Sequence, residues 1–188
     1  MRARVLVVSA TEAEAAHVPD EYDVLVTGMG KTAAAAVVSR RLAALEAADG
    51  LAGLTVVNIG TAGALHDHHD GLFEPGAVLN HDLSADALRA LGEDPRERLV
   101  LSDSSVVLAT GDVFVTDPVV RARLAEQADL VDMEGYAVAY VADLFGVPAH
   151  LIKHVSDSAD ESAHDWVAMV DASARVLAAR LVEAYPLA

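Results

Sequence analysis

No cysteine occurs in this 188-residue chain. That excludes disulfides, thiolate zinc sites and a cysteine nucleophile. Lysine is almost as scarce, with Lys31 and Lys153 the only two. No apolar run reaches the roughly 18 residues that a membrane span needs, so no membrane partner is expected. The opening Met1-Arg2-Ala3-Arg4 before Val5-Leu6-Val7-Val8 has the charge order of a secretion signal. Its apolar run is too short and gives way to polar Ser9-Ala10-Thr11-Glu12, so it reads as a first buried strand and the protein as cytoplasmic. Positive charge is also short: the formal net charge is −16, with acid spread along the whole chain. Such a surface repels phosphate backbones, which argues against nucleic acid as a partner, and it favours solubility.

What is present is a core. Hydrophobic residues make up 53% of the chain, enough for one compact α/β domain. Apolar runs of strand length alternate with longer alanine-rich stretches. Arg4–Ser9, Asp23–Thr27 and Thr55–Ile59 read as buried strands. Helices are predicted over Thr11–Val18 and over Lys31–Ala48, the latter opening after Gly28-Met29-Gly30 and closing before Gly50. The span from His66 to Arg98 is irregular, with Gly76–His81 as a strand inside it. Strands follow at Leu99–Leu101 and Ser105–Ala109. Asp117-Pro118 opens a helix to Gln127. Leu130–Asp132 is a short strand before a helix over Met133–Phe145, Ala149–Val155 a further strand, and Ser162–Glu183 the last helix. This alternation predicts a single domain, residues 1–188, with a central twisted mixed β-sheet flanked by helices. Ligands of such sheets sit beyond the carboxyl ends of the strands.

The strand ends carry the unusual residues. In chain order they are Ser9-Ala10-Thr11-Glu12-Ala13-Glu14, Thr27-Gly28-Met29-Gly30-Lys31, Asn58-Ile59-Gly60-Thr61-Ala62-Gly63, and Ala109-Thr110-Gly111-Asp112-Val113-Phe114 with Val131-Asp132-Met133-Glu134-Gly135, then Lys153-His154-Val155-Ser156-Asp157-Ser158-Ala159-Asp160. Singly each is weak: the glycine-rich stretches lack the spacing of a phosphate-binding loop or a dinucleotide fingerprint, and Ser-Asp is a common helix cap.

In this order the motifs resemble the nucleoside phosphorylase/nucleosidase superfamily, and within it the 5'-methylthioadenosine/S-adenosylhomocysteine nucleosidases most closely. That family's elements are Ala-Met-x-x-Glu, Gly-x-Gly-Lys, Gly-[Ser/Thr]-Ala-Gly, Ser-Gly-Asp-x-Phe, a Met-Glu pair opening a helix, and Arg-x-x-Ser-Asp-x-Ala-Asp. Each has a counterpart between Val5 and about Asp160. The resemblance implies cofactor-free cleavage of a purine nucleoside by a homodimer or other homo-oligomer. Cutting the N-glycosidic bond passes through a ribosyl cation-like state, so an acid must protonate the departing purine at N7 and a base must position water at the anomeric carbon.

By that resemblance Asp157 is the acid, oriented by Ser156, and it must be protonated to donate. Glu14, four residues after Ala10, is the base; Glu12 is its rival, out of the expected register. Glu134 accepts the ribose hydroxyls and Met133 packs on the sugar. Phe114 stacks on the purine and the backbone of Val115 reads its edge. Thr61, Ala62 and Gly63 form a turn lining the sugar and water site. Lys153 stands where the nucleosidases carry arginine, keeping the charge but losing the bidentate fork, and helps hold the water or the glutamate. Lys31 serves the fold or a nearby carboxylate.

A phosphorylase would need cationic groups where this chain places Glu12 and Glu14, so hydrolysis is the expectation and phosphorolysis the alternative. The chain is short for the family between Gly63 and Thr110, where His66-Asp67-His68-His69-Asp70 stands instead. Those histidines read as a solvated loop rather than a metal site. The 5' substituent stays open: methylthioadenosine, S-adenosylhomocysteine, 5'-deoxyadenosine and futalosine-type nucleosides all fit. A nucleoside-binding protein without turnover is the alternative outside enzymes, and the presence of Glu14, Glu134 and Asp157 together argues against it.

Overall fold

The computed structural model describes residues 4–159 and 166–187. Its inner strands are apolar, and their alternation decides which side chain faces which layer. In β1 (Arg4–Ser9), Leu6 and Val8 face one layer while Val7 faces the other. The first layer is covered by α1 (Lys31–Asp49), through Ala34, Val38 and Leu42, and by α4 (Gly135–Leu144), through Val138 and Val141. The opposite layer is covered by α5 (Trp166–Ala184), whose Leu177 and Leu181 pack on Val7, Val57 and Ile152.

The remaining elements are β2 (Asp23–Val26), β3 (Leu54–Ala64), β4 (Leu72–Phe73), β5 (Ala77–Asn80), α2 (Ala85–Ala90), β6 (Arg98–Val100), β7 (Val107–Thr110), α3 (Pro118–Ala125), β8 (Leu130–Asp132) and β9 (Ala149–Asp157). The sheet runs β2-β1-β3-β8-β7-β5-β6, with β9 on β3 and β4 on β9. It is mixed: β1, β2, β3 and β9 pair in parallel, as do β5, β7 and β8, while β3–β8, β4–β9 and β5–β6 are antiparallel. The expected single α/β layer structure is therefore present, and among the described residues no helix is long and apolar enough to cross a membrane.

Several expectations change. Residues 11–18 form turns, not a helix. Their hydrogen bonds run from Ala16 N–H to Ala13 and Val18 N–H to Ala15, and Pro19 removes the next donor. So short a segment cannot offset the cost of helix nucleation unaided. The Thr61-Ala62-Gly63 turn is instead strand: β3 continues to Ala64, because β9 pairs with it as far as Gly63 and β8 takes up its last two residues. The last helix is described from Trp166, so its expected start at Ser162, like Asp160, lies outside the described residues. The irregular middle also holds β4 and the short α2, neither of them anticipated; α2 buries no residue.

Candidate active site

The carboxyl ends of β1, β3, β7, β8 and β9 open onto one cavity of about 410 Å³. Of the residues singled out by sequence, Glu14, Thr61, Ala62, Gly63, Phe114, Val115, Met133, Glu134, Ser156 and Asp157 all line it. Lys153 does not.

Glu14 is fixed at the cavity floor. It is 4% exposed, and its Oε1 accepts both the Thr61 N–H and the Thr61 hydroxyl at 2.8 Å. The Thr11 hydroxyl donates to Oε2 at 3.1 Å. The turn at 11–18 exists in this form because it delivers a buried carboxylate to β3, where donors compensate its desolvation. Glu12 is exposed and takes no part in the cavity.

Glu134 comes from the β8–α4 junction. Helix α4 starts at Gly135, two residues later than expected, because the Asp132 carboxylate captures the Gly135 N–H at 2.9 Å. Met133 and Glu134 are thereby left in the connecting bend, facing the cavity. Glu134 does not cap its own helix. Its Oε1 accepts the Gly30 N–H at 2.7 Å, in front of α1. Burial pushes its carboxyl up to about 7, with the neighbouring Asp132 adding to the rise and Lys153 opposing it.

Lys153 lies behind the cavity wall, 1% exposed, and pairs with Asp132 at 2.8 Å. Asp132 also accepts the Thr110 hydroxyl at 2.6 Å. A Cβ placed on Gly60 would lie 3.2 Å from Glu14 Oε1 and 3.3 Å from Lys153 Nζ, so this ammonium sits among Asp132, Glu134 and Glu14. Burial alone would lower the lysine's pKa; the three carboxylates outweigh burial and raise it. Lys153, expected to help hold the water or the glutamate, does not line the cavity; its ammonium pairs with Asp132 and lies near Glu134 and Glu14. Asp132, at the end of β8 in the same sheet, is the carboxylate that pairs with it. Asp132 itself lines the cavity and was missed by sequence reasoning. The available signal was a carboxylate closing an otherwise apolar strand.

Asp157 and Ser156 both reach the cavity although they are consecutive on a strand. The β3–β9 register slips after Ala62, which pairs with Val155, so that Gly63 pairs with Asp157. This irregularity re-aims the two side chains. The Ser156 hydroxyl donates to Asp157 Oδ2 at 2.7 Å, and the Ala159 N–H to Oδ1 at 2.8 Å. A Cβ on Gly63 would stand 2.8 Å from the Ala159 Cβ and 3.0 Å from Asp157 Oδ1, so only glycine fits there. Ala159 takes φ 50°, a left-handed conformation unusual for alanine.

Phe114 lies at the mouth, 50% exposed, and the neighbouring Val115 is buried. Met29 and Val113 join it at the rim. His66, His68 and His69 pack with ring centroids 4.4–5.5 Å apart. Among the described residues, however, no group of three His, Asp or Glu side chains is arranged to hold a metal ion.

Known proteins match this arrangement. The chain is 29% identical to the aminodeoxyfutalosine nucleosidase of Helicobacter pylori (strain ATCC 700392 / 26695) over 145 residues, covering 75% of this chain and 61% of that protein. It is 42% identical to the 5'-methylthioadenosine/S-adenosylhomocysteine nucleosidase of Treponema pallidum (strain Nichols) over 75 residues, 39% of this chain and 27% of that one. The chain thus spans about three fifths or less of the length of the curated relatives it matches. Its fold is similar to that of a mutant Helicobacter pylori MTAN solved with 5'-methylthioadenosine in the active site: TM-score 0.81 at 21% identity, covering 97% of this chain and 98% of that one. The family model described as the phosphorylase superfamily matches residues 69–185, and the chain belongs to that superfamily.

Proposed function

We propose that this protein is a purine nucleosidase that hydrolyses the N-glycosidic bond of a 5'-modified adenosine of the methylthioadenosine or S-adenosylhomocysteine type. The observation that carries the reading is the convergence of Glu14, Glu134 and Asp157, from three separate strand ends, on one cavity with an aromatic ring at its mouth. In this reading Phe114 stacks on the purine, the Val115 backbone meets its edge, and Met133 and Glu134 hold the ribose. Asp157 gives its proton to N7 as the bond from the base to the anomeric carbon breaks. Glu14 takes a proton from the water whose oxygen attacks that carbon.

Water is favoured over phosphate as the nucleophile by charge. Glu14, which must be ionised to act as the base, lines the cavity, and no lysine or arginine does so among the described residues. A phosphate dianion in that field would be repelled at short range. A second reading, hydrolysis of aminodeoxyfutalosine, is favoured by the Helicobacter pylori relative that this chain resembles over 145 residues. The reading also takes the enzyme to work as a homo-oligomer, which sedimentation would test. Incubation with methylthioadenosine, S-adenosylhomocysteine and aminodeoxyfutalosine, each with and without phosphate, tests the rest. Adenine should be released without phosphate; strict phosphate dependence would make it a phosphorylase, and no release from any of them would overturn the enzyme reading.

A further inference from the structure

The loop after β7 carries the residues that the nucleosidase reading assigns to the purine; Val115 is buried in a core cluster with Leu65, Ala109 and Leu124, but the residues before it are not. Val113 is 57% and Phe114 50% exposed, so neither ring nor side chain is anchored in the core. What ties down the start of the loop, ahead of Val115, is polar. The Lys31 N–H, first in α1, donates to Asp112 Oδ1 at 2.7 Å. The Asp112 N–H donates to Asp82 Oδ2 at 2.8 Å. The Lys31 ammonium closes the ring: it is hydrogen-bonded to Asp82, reaches Asn80 Oδ1 at 2.7 Å and lies 4.0 Å from Asp112 Oδ2. Three segments, the start of α1, the end of β5 and the end of β7, meet in this one polar knot.

The knot differs from an ordinary surface ion pair, which contributes little. The Lys31 side chain is 17% and Asp82 28% exposed, and the ammonium has three oxygen partners. Burial alone would raise the Asp82 carboxyl, but the bonds from Lys31 and from the Asp112 N–H outweigh it and hold it below its ordinary value. Gly30 allows the approach: its φ of 93° suits glycine, and a Cβ there would lie 3.1 Å from Asp112 Oδ1. Adjacent N–H groups therefore serve two halves of the cavity, Gly30 holding Glu134 and Lys31 holding Asp112.

We propose that Lys31, Asp82 and Asp112 form a clasp that positions the base-binding loop, so that Lys31 is a positioning residue for purine recognition and not for the sugar. This rests on the nucleosidase reading, in which Phe114 and Val115 meet the base. Removing the ammonium leaves Asp82 held by the Asp112 N–H alone and loosens the loop, while the main-chain bond from Gly30 to Glu134 survives.

The test is calorimetric titration of adenine, and separately of methylthioribose, into wild type, Lys31→Met and Lys31→Arg, with steady-state kinetics on methylthioadenosine. Lys31→Met should weaken adenine binding and raise KM about tenfold, as expected for about 1.4 kcal/mol of lost binding. Methylthioribose binding should be unchanged and kcat should stay within about threefold. Lys31→Arg, which restores a cation to Asp82, should recover most of the loss. If Lys31→Met fails to fold, Asp82→Ala should give the same split between adenine and methylthioribose. Unchanged adenine binding in Lys31→Met, or equal weakening of both ligands, overturns the clasp while leaving the nucleosidase reading intact. A wild type that binds neither ligand overturns the nucleosidase reading itself, and the clasp with it.

Discussion

Neither of the two lysines of this chain lines the cavity, and the two lie beside it in different surroundings. Lys153 is sealed behind the floor against Asp132, with side chains 2% and 1% exposed. Lys31 sits at the rim, in partial contact with water, knotted to Asp82 and Asp112. Each faces an excess of carboxylate, so neither is available to a phosphate dianion. The difference is dielectric. At the floor, a lost partner leaves a charge that water cannot reach; at the rim, water replaces much of what is lost. The floor therefore couples stability to the charge state of the site, and the rim couples ligand affinity to loop position.

On the nucleosidase reading, the largest effects fall on Asp157 and Glu14. Asp157→Asn should lower kcat by about 10²–10⁴-fold while adenine binding stays measurable, as expected for loss of a general acid. Glu14→Gln should fall in the same range and the exposed Glu12→Gln should not; an inactive Glu12→Gln beside an active Glu14→Gln would move the base to the wrong side of the turn. Next in size is the floor pair. Lys153→Met should cost about 3–5 kcal/mol of unfolding free energy, because Asp132 is left buried and unpaired. Lys31→Met should cost no more than about 1 kcal/mol. Denaturant titration of both variants checks the contrast, and equal losses would erase it.

A pH series sharpens the same contrast. Glu134 is raised from 4.5 in an ordinary setting to about 7 in the fold. Its neutral form is thus favoured by folding: that contribution is complete below pH 4.5 and is lost as pH rises through 7. Glu134→Gln keeps an oxygen acceptor for the Gly30 N–H but cannot ionise. Relative to wild type it should gain stability between pH 5 and pH 8, by about 3 kcal/mol at most. Chemical denaturation at the two pH values reads this directly, and a constant difference would mean that Glu134 is already ionised in the fold at pH 5, as it is in the unfolded chain.

Much of this site was legible from one sequence because strand ends are legible. Apolar runs such as Arg4–Ser9 and Leu130–Asp132 mark where a strand stops, and glycine, serine and acid just beyond them mark what faces a ligand. Ten of the expected residues line the cavity for that reason. The failures are equally specific. Asp132 reads as the last residue of a strand, and nothing local says that Lys153, 21 positions later, will meet it. The family resemblance implies a turn at Thr61-Ala62-Gly63, but the partner strand β9 prolongs β3 through it. The segment 11–18 reads as a helix by its alanine and glutamate, but the donors on Thr61 reward a different path.

The sequence by itself determined the layers and the order of the strand-end motifs, since periodicity and spacing are local properties of a chain; the preference for Glu14 over Glu12 rests on the family resemblance. Tertiary structure decided which charges are paired. That choice depends on burial and on partners distant in sequence, Glu14 with Thr61, Gly30 with Glu134, Lys31 with Asp82 and Lys153 with Asp132. A carboxylate's cost in a buried site is set by the donors that reach it, and only the folded chain brings them there.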